Sequence, residues 1–478
     1  MKNPRYFLLP AAVLMALGFA ACNDDDPYFD DDLQTKAMSV SKVYLEDYKS
    51  SVPDREVSFA RLGQMLRLEG SGFFGVKKVY INGYDTYFNR AYVTDNSLIV
   101  SINSKTPVSD CDPEVRNTIR LVKDGTELVY EFLIRNGYSV IRSVSNTLPQ
   151  PGETVTVYGD YLHETSKVTL PGGVEVTEGI VNDEDGEWFS FTMPSGVTEG
   201  GALISESPNG VTQSPAYFNE TRGMILNFDG LGSQGYWSWK ENGSMINNED
   251  LVDDPLSSGR GKVFQLVPDR LLADGIASGK PRATECWTAG NDDAADDWSR
   301  MTSLIPAETP LSEVAFQFDI LCPEPWSGTG YIQVCQINNY NFAGIGSDDD
   351  NSKGMTYMFV PWMSNGRDGG EIFPFTTAQW TTITVPYVEF AKYAALQADA
   401  EAQNPTFQMV IDDRNGATYR NFGMGFVNTD FDYTDADGAK ASLVSTLFTG
   451  PKIYIDNWRI VPYKFFEPSD YEEPEEEN

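Results

Sequence analysis

The chain has 478 residues, which is longer than one compact domain, and typical domain sizes of about 100–200 residues predict roughly three domains. Its formal charge is −35, from 35 Lys and Arg against 70 Asp and Glu. This excess of acid argues against nucleic-acid binding, because phosphate neutralisation needs clustered cations. Aromatic residues make up 13% of the chain, a share high enough to predict that some rings lie on the surface.

The N-terminal residues have the pattern of an export signal. Lys2 and Arg5 precede an apolar run from Phe7 to Ala21 that is too short for a comfortable membrane span. The run ends in Gly18-Phe19-Ala20-Ala21-Cys22, which resembles a bacterial lipobox, although Phe19 replaces the usual Leu. The resemblance implies that residues 1–21 are a signal peptide, that Cys22 is lipidated, and that this lipid is the membrane anchor.

Acidic residues follow directly, at 24–26 and 30–32. An acidic stretch after a lipidated cysteine resembles the surface-export signal of Bacteroidetes lipoproteins, and it implies a lipid-anchored outer-membrane protein that faces the extracellular side. The alternative is a solvated, disordered tether over residues 22–36 that carries no address.

Residues 37–218 contain an internal repeat. Leu66-x-Leu68-x-Gly70-x-x-Phe73 in the first copy matches Val155-x-Val157-x-Gly159-x-x-Leu162 in the second, and each position is shifted by 89 residues. The alternation of apolar and polar residues predicts half-buried strands, so each copy is predicted to be a small β-sandwich. The pattern resembles the IPT/TIG family of immunoglobulin-like modules, which places module 1 at 37–138 and module 2 at 139–219.

The composition changes after Phe218, because seven of the nine tryptophans lie between residues 237 and 380. Strands are predicted at 224–229, 316–320, 331–334, 380–385 and 452–460, and a short Ala-rich helix is predicted at 388–402. The chain is therefore predicted to be all-β, with two immunoglobulin-like sandwiches followed by a larger jelly-roll-like β-sandwich over 220–466. An acidic, disordered tail is predicted over 467–478.

Residues suited to catalysis or metal binding are few. The sole histidine, His163, lies in a predicted turn, which excludes Ser-His-Asp and Cys-His arrangements. No cysteine spacing fits a zinc site, and the pairing of Cys322 with Cys335 stays open. No cofactor is expected, although acidic loops at 292–297 and 348–351 leave a structural calcium ion open.

The tryptophans of the last domain carry the strongest functional signal. An indole can lie flat against the C–H face of a sugar ring and leave the sugar hydroxyls free for hydrogen bonds. Trp380 and Trp458 lie inside predicted strands and are assigned to the core. The candidate glycan-binding residues are Trp287, Trp326, Trp362, Trp237, Trp239, Trp298, Tyr331, Gln333 and Arg367, with Gln336, Arg300, Asn338 and Asn339 as further polar candidates.

The lipidation signal, the tandem IPT-like modules and the Trp-rich C-terminal sandwich together resemble the surface glycan-binding proteins of Bacteroidetes polysaccharide-utilisation systems. The resemblance implies a monomer that holds a polysaccharide without cutting it and passes it to an outer-membrane importer complex. Known members favour plant β-glycans such as xyloglucan, mixed-linkage glucan or mannan, and the sequence does not select among these.

Two other functions fit the sequence. An adhesin or stalk with a protein partner would carry aromatic patches on the IPT-like modules. A glycoside hydrolase needs only two carboxylates, and a chain with 70 acidic residues always offers a pair.

Overall fold

The computed structural model describes residues 35–46, 54–235, 246–266, 282–337, 355–428, 430–444 and 451–470, except for the side chains of residues 282 and 283. The protein is nearly all β, with immunoglobulin-like modules and a larger C-terminal sandwich, as the sequence predicts. The chain forms two compact units that divide between Tyr138 and Ser139. Among the described residues, no helix is long and apolar enough to cross a bilayer.

Module 1 is a sandwich of two four-stranded sheets, ordered β2-β1-β4-β7 and β6-β5-β8-β9, with a parallel pair β3-β10 beside them. Its core is apolar and includes Leu66, Leu68 and Phe73. The strands are β1 Ser39–Leu45, β2 Arg55–Glu56, β3 Phe59–Arg61, β4 Met65–Ser71, β5 Lys78–Ile81, β6 Tyr84–Thr86, β7 Ser97–Ser101, β8 Thr118–Lys123, β9 Thr126–Glu131 and β10 Leu133–Arg135.

Module 2 repeats this plan with sheets β11-β12-β16-β15 and β14-β13-β17-β18. The strands are β11 Val140–Val144, β12 Thr154–Asp160, β13 Lys167–Leu170, β14 Val174–Val176, β15 Val181–Asn182, β16 Trp188–Thr192, β17 Ile204–Ser207 and β18 Gly210–Gln213.

The repeated glycines have one physical cause in both modules. A Cβ on Gly70 would overlap the carbonyl oxygen of Ser39, and a Cβ on Gly159 would overlap that of Val140. Each glycine faces an irregularity in the neighbouring strand, between Val40 and Lys42 in module 1 and at the matching place in module 2. The sequence repeat therefore marks a point where two backbones approach too closely for a side chain.

The C-terminal domain is a sandwich of two sheets, with a small third sheet beside it. The first sheet has the order β20-β21-β31-β23-β27, with β19 paired to β31; the second is β22-β28-β24-β25, and the third is β26-β29-β30. The elements are β19 Met224–Leu226, β20 Val252–Asp253, β21 Lys262–Leu266, β22 Arg282–Trp287, β23 Val314–Leu321, β24 Tyr331–Cys335, β25 Thr356–Phe359, β26 Gly369–Gly370, β27 Thr381–Pro386, α1 Ala391–Ala398, α2 Phe407–Gly416, β28 Gly423–Val427, β29 Phe431–Asp435, β30 Lys440–Leu443 and β31 Ile453–Pro462.

Aromatic side chains fill the space between the first two sheets. Phe318 on β23 meets Phe359 on β25 edge-to-face at 5.6 Å. Trp458 on β31 packs against Phe264 and Phe422 and is fully buried. The assignment of Trp458 and Trp380 to the core is confirmed.

The helix predicted at 388–402 is shorter, at Ala391–Ala398, and a second helix at Phe407–Gly416 was not predicted. The second helix buries Phe407, Val410, Ile411 and Arg414. These positions follow the i, i+3, i+4, i+7 spacing of an amphipathic helix, so the periodic signal was present. The β-branched and polar composition of the segment hid it, because propensity alone disfavours a helix there.

Module 2 packs directly on the first sheet of the C-terminal domain. Ala315 and Val461 of that sheet belong to the module 2 core, and Tyr217 stacks on Tyr463 with ring centroids 6.4 Å apart.

A buried polar network joins the same two parts. Asp319 on β23 accepts hydrogen bonds from Arg260, Arg459, Thr382 and Asn457, at 2.8–3.4 Å. The Arg459 guanidinium also donates to the hydroxyl of Thr147 in module 2, at 2.6 Å. Two buried cations of the C-terminal domain thus share one buried carboxylate, and Arg459 links this network to module 2.

Candidate functional site

Most of the tryptophans predicted to face solvent are buried. Trp287 is 3% exposed and Trp298 is 1% exposed, and Trp326 and Trp362 are fully buried. Tyr331 and the side chain of Gln333 are also inside. The prediction that these six residues lie open to water is wrong. Trp237, Trp239, Asn338 and Asn339 lie outside the described residues, as does Cys22, so their roles stay predictions.

Trp326 and Trp362 are buried because a nearby turn satisfies both indole N–H groups. The indole of Trp326 donates to the carbonyl of Thr329 at 2.7 Å, and that of Trp362 donates to the carbonyl of Gly330 at 2.8 Å. A turn-rich connection was expected to keep Trp326 at the surface, yet its backbone carbonyls are what permits burial of the ring.

Trp287 and Trp298 have their own internal partners. The Trp287 indole donates to Glu285 at 3.0 Å, and its ring covers Gly423, where any Cβ would overlap the indole. The Arg414 guanidinium lies 3.9 Å from the Trp298 ring centroid. These indoles pack the domain, because each lies against a residue that matches its shape or charge.

Three of the predicted residues nevertheless lie on one face of the second sheet. Residues directly opposite on neighbouring strands point to the same face of a sheet. Glu285, Gly425, Gln333 and Met358 form one such row, and Trp287, Gly423, Cys335 and Thr356 form the next. Tyr331 lies on the same face of β24 as Gln333. We call the face that carries these two rows and Tyr331 the outer face of the second sheet. The opposite face of that sheet packs on the first sheet.

The Gln333 side chain is unusual on this face. It is fully buried, and neither its oxygen nor its nitrogen has a hydrogen-bond partner in the described part of the chain. An unpaired buried amide costs about 1–3 kcal/mol relative to a satisfied one. Gln333 therefore lowers the stability of the folded domain.

The other predicted polar residues have structural partners. Gln336 is fully buried and hydrogen-bonds to the hydroxyls of Tyr387 and Tyr393. Arg300 donates to the backbone carbonyls of Arg222 and Met224, which ties its short helix to the opening of the domain. Both side chains make contacts within the fold. The prediction that Gln336 lines a binding groove is wrong, because Gln336 is buried, and that for Arg300 stays a prediction.

Arg367 is the predicted site residue that the structure places at a cleft. The cleft has a volume of about 630 Å³ and lies along the free edge of β25. Its lining residues are Thr356, Tyr357, Met358, Asn365, Gly366, Arg367, Asp368, Glu389, Ala391 and Ala394. Thr356 and Met358 also belong to the outer face, so this face continues into the cleft.

The cleft combines one cation with two carboxyl groups. Burial raises the pKa of Glu389, the hydroxyl of Tyr357 hydrogen-bonds to its carboxyl group, and the nearby charge of Asp368 opposes its ionisation. Burial and the same carboxyl group raise the pKa of Tyr357. Arg367 and Asn365 supply N–H donors, and the carboxylates supply acceptors. The cleft therefore offers both hydrogen-bond roles that a sugar hydroxyl needs.

A hairpin presents Arg367. The 362–373 hairpin is held by backbone hydrogen bonds from Ser364 to Glu371 and from Phe373 to Trp362, and its tip is a short 3₁₀-helix at Gly366–Asp368. Trp362 anchors its base in the core. Phe373 lies on the same hairpin with 38% of its surface exposed.

Phe373 is not among the predicted site residues, because phenylalanines were not weighed as rings that could contact a sugar. The neighbouring Ile372 and Pro374 are exposed as well. Three consecutive exposed apolar residues are unusual on a surface, and that pattern was available as a signal.

The described cysteines and acidic loops carry no reactive or metal-binding arrangement. Cys322 and Cys335 are buried thiols that form no disulfide, as are Cys111 and Cys286. Asp296 forms a buried ion pair with Arg414, and Asp297 caps the following 3₁₀-helix. Within the described ranges no cluster of His, Cys, Asp and Glu is placed to hold a metal ion.

Comparisons with known proteins agree with this architecture. The family described as "Surface glycan-binding protein B xyloglucan binding domain" matches residues 218–462, which is just over half of the chain. An IPT/TIG domain-containing protein of Bacteroides ovatus is 22% identical over 447 residues, with 71% of this chain and 84% of the relative covered.

A solved structure shows the same fold. The surface glycan-binding protein PbSGBP-B of Prevotella bryantii superimposes with a TM-score of 0.58 at 19% identity, over 90% of this chain and 99% of that chain. An SGBP-B from a complex xyloglucan utilization locus in Bacteroides uniformis gives a TM-score of 0.41 at 15% identity, over 89% of this chain and all of that one.

Proposed function

The chain belongs to the surface glycan-binding protein B family through its xyloglucan binding domain, and from this premise we propose that residues 218–462 hold xyloglucan at the cell surface without cutting it. The family resemblance inferred from domain order and composition is confirmed. Mixed-linkage glucan and mannan are the nearest alternative ligands, because they are also neutral β-linked chains.

The observation that carries the proposal is the cleft beside the 362–373 hairpin. It holds a hydrogen-bonding set of Arg367, Asn365, Asp368 and Glu389, and the hairpin that presents Arg367 also carries the partly exposed ring of Phe373. A volume of about 630 Å³ lies within the range of about 300–1,000 Å³ common for small-ligand sites. It suits a short stretch or branch of a glycan better than a whole polymer.

Binding would divide between the ring and the polar groups. Phe373 offers an apolar face to a sugar ring, which contributes on the order of 1 kcal/mol beyond the buried area. Arg367 and the carboxylates fix the orientation of the sugar through its hydroxyls. Open sites of this kind reach about millimolar to micromolar affinity, or roughly −4 to −8 kcal/mol.

A glycoside hydrolase is the second candidate, because Asp368 and Glu389 line the same cleft. The raised pKa of Glu389 is a property that a general acid needs. The hydrogen bond from Tyr357 favours a structural role for this carboxyl group instead.

The cellular setting extends the proposal. Family membership places the protein at the cell surface. We propose that Cys22 carries a lipid anchor in the outer membrane and that the chain acts as a monomer. The glycan would then pass to an outer-membrane importer complex, for which the modules serve as a spacer.

The proposal is tested by electrophoresis of the full chain through native gels that contain xyloglucan, mixed-linkage glucan or mannan. Strong retardation by xyloglucan with no new reducing ends after a day supports a non-catalytic binder. Free migration through all three gels contradicts the proposal, and release of reducing ends favours the hydrolase.

A further inference from the structure

Module 1 displays the most exposed aromatic rings of the described chain. Tyr87 is 83% exposed and Tyr92 is 63% exposed, and both lie in the connection between β6 and β7. Asn89 and Arg90 between them are also exposed. Two largely exposed rings within one six-residue segment are typical of a contact surface.

The segment is held in one conformation. Its buried residues Phe88 and Val93 are 9% and 6% exposed and pack in the module core. Asn89 caps the 3₁₀-helix Arg90–Tyr92 by accepting from the backbone N–H of Ala91 at 3.0 Å. Arg90 donates to the carbonyl of Lys77 at 3.4 Å. The rings are therefore presented by an ordered loop, which lowers the entropy cost of binding.

We propose that the Tyr87–Tyr92 loop is a second contact site for the same neutral polysaccharide, an inference that rests on the proposed function of residues 218–462. The faces of Tyr87 and Tyr92 lie against sugar rings, and the Asn89 amide and Arg90 guanidinium bond to sugar hydroxyls. Rings interleaved with side-chain donors are the combination that a pyranose chain requires.

The charge of the chain favours a neutral polymer as the occupant. A net charge of −35 repels acidic glycans and acidic proteins at long range, and it leaves a neutral glucan unaffected. A polysaccharide is also long enough to engage two sites of one chain. The second contact then forms at a high effective concentration, so a weak site strengthens retention by a polymer.

The test compares full-length variants in native gels with long xyloglucan. Replacing both rings, Tyr87→Ala with Tyr92→Ala, should weaken the apparent affinity about threefold to tenfold, as expected for the loss of two stacking rings. Tyr87→Phe with Tyr92→Phe keeps the rings and should bind as the native protein does. Val129→Ala is the control, because Val129 is also an exposed apolar residue of module 1, at 54%, and lies on β9 outside the loop.

The possible results distinguish the second site from the proposed function. Unchanged retardation of the double Ala variant overturns the second site while the proposed function stands, and it assigns the exposed rings of module 1 to a protein partner instead. A loss in the Phe variants as large as in the Ala variants overturns the stacking role. Free migration of the native protein overturns both proposals. Circular dichroism melting of each variant confirms that the exposed substitutions leave the fold intact.

Discussion

The buried network around Asp319 predicts a large effect of one uncharged substitution. Asp319→Asn keeps the size of the side chain and removes the charge that Arg260 and Arg459 share. Arg260 retains Asp456 at 3.7 Å and Glu153 at 3.6 Å, whereas Arg459 has no second acidic partner among the described ion pairs. The variant therefore leaves a buried guanidinium unpaired.

Breaking a buried ion pair by removing one partner costs about 3–5 kcal/mol. For a domain of about 150–250 residues, each kcal/mol lowers Tm by about 2–4 °C, so the expected loss is roughly 6–20 °C. Burial alone would raise the pKa of Asp319, but Arg459 and Arg260 outweigh it and hold the pKa below its usual value. The stabilisation is therefore present above about pH 4 and lost as the pH falls further.

Differential scanning calorimetry at pH 7 and at pH 3 measures both effects. Native protein and Asp319→Asn should differ strongly at pH 7 and by a smaller amount at pH 3, where the stabilisation has begun to be lost. Asp253→Asn is the control, because Asp253 pairs with Lys262 at the surface, where an ion pair contributes little. A Tm for Asp319→Asn within about 1 °C of the native value at pH 7 would refute the argument for an unpaired buried cation.

Three further predictions follow from single features. Gln333→Met should raise the free energy of unfolding in urea by about 1–3 kcal/mol, because it removes the unpaired buried amide, and an unchanged or lower value contradicts that assignment. Glu389→Gln should raise Tm at pH 7 but not at pH 4, since a carboxyl group with a raised pKa destabilises the fold only where it is ionised; equal shifts at both pH values would exclude this cause. A chain that begins at Ser139 should melt at the temperature of the second unit of the native protein. A chain that begins at Glu220 should melt at least several degrees lower, because it loses the contacts of Thr147 and Tyr217. Equal melting temperatures of the two would show that module 2 does not stabilise the C-terminal domain.

The fold was predictable where a local pattern determines it. The repeated Gly70 and Gly159 marked the two modules, because a close backbone approach admits no side chain. The sequence also predicted strands at the positions of β23 and β31. The helix Phe407–Gly416 was missed because its stabilisation comes from burial of one face and not from its composition.

The site was less predictable because exposure is a tertiary property. In the sequence, Trp326 and Trp362 have the pattern of surface rings. Their burial depends on hydrogen bonds to the carbonyls of Thr329 and Gly330, and the sequence does not reveal which backbone carbonyls will meet an indole. Arg367 was found because it follows a strand in a polar turn. Phe373 was missed because a single phenylalanine carries no signal until its neighbours are placed.

We expect the cleft beside the 362–373 hairpin to hold the glycan. Isothermal titration calorimetry of the full chain with a xyloglucan oligosaccharide tests it directly, with Arg367→Ala and Phe373→Ala as variants. Tyr419→Ala is the control, because Tyr419 is 58% exposed and follows helix α2 near Asn291, which lies after β22 at the other edge of the second sheet.

Arg367→Ala should weaken binding about tenfold or more, since hydrogen bonds to a charged group contribute about 1.5–3 kcal/mol, and Phe373→Ala should weaken it about twofold to tenfold. Tyr419→Ala should bind as the native protein does. Native affinity in both the Arg367 and the Phe373 variants, with tight binding by the native chain, would contradict binding at the cleft and its hairpin and place the glycan elsewhere on the domain.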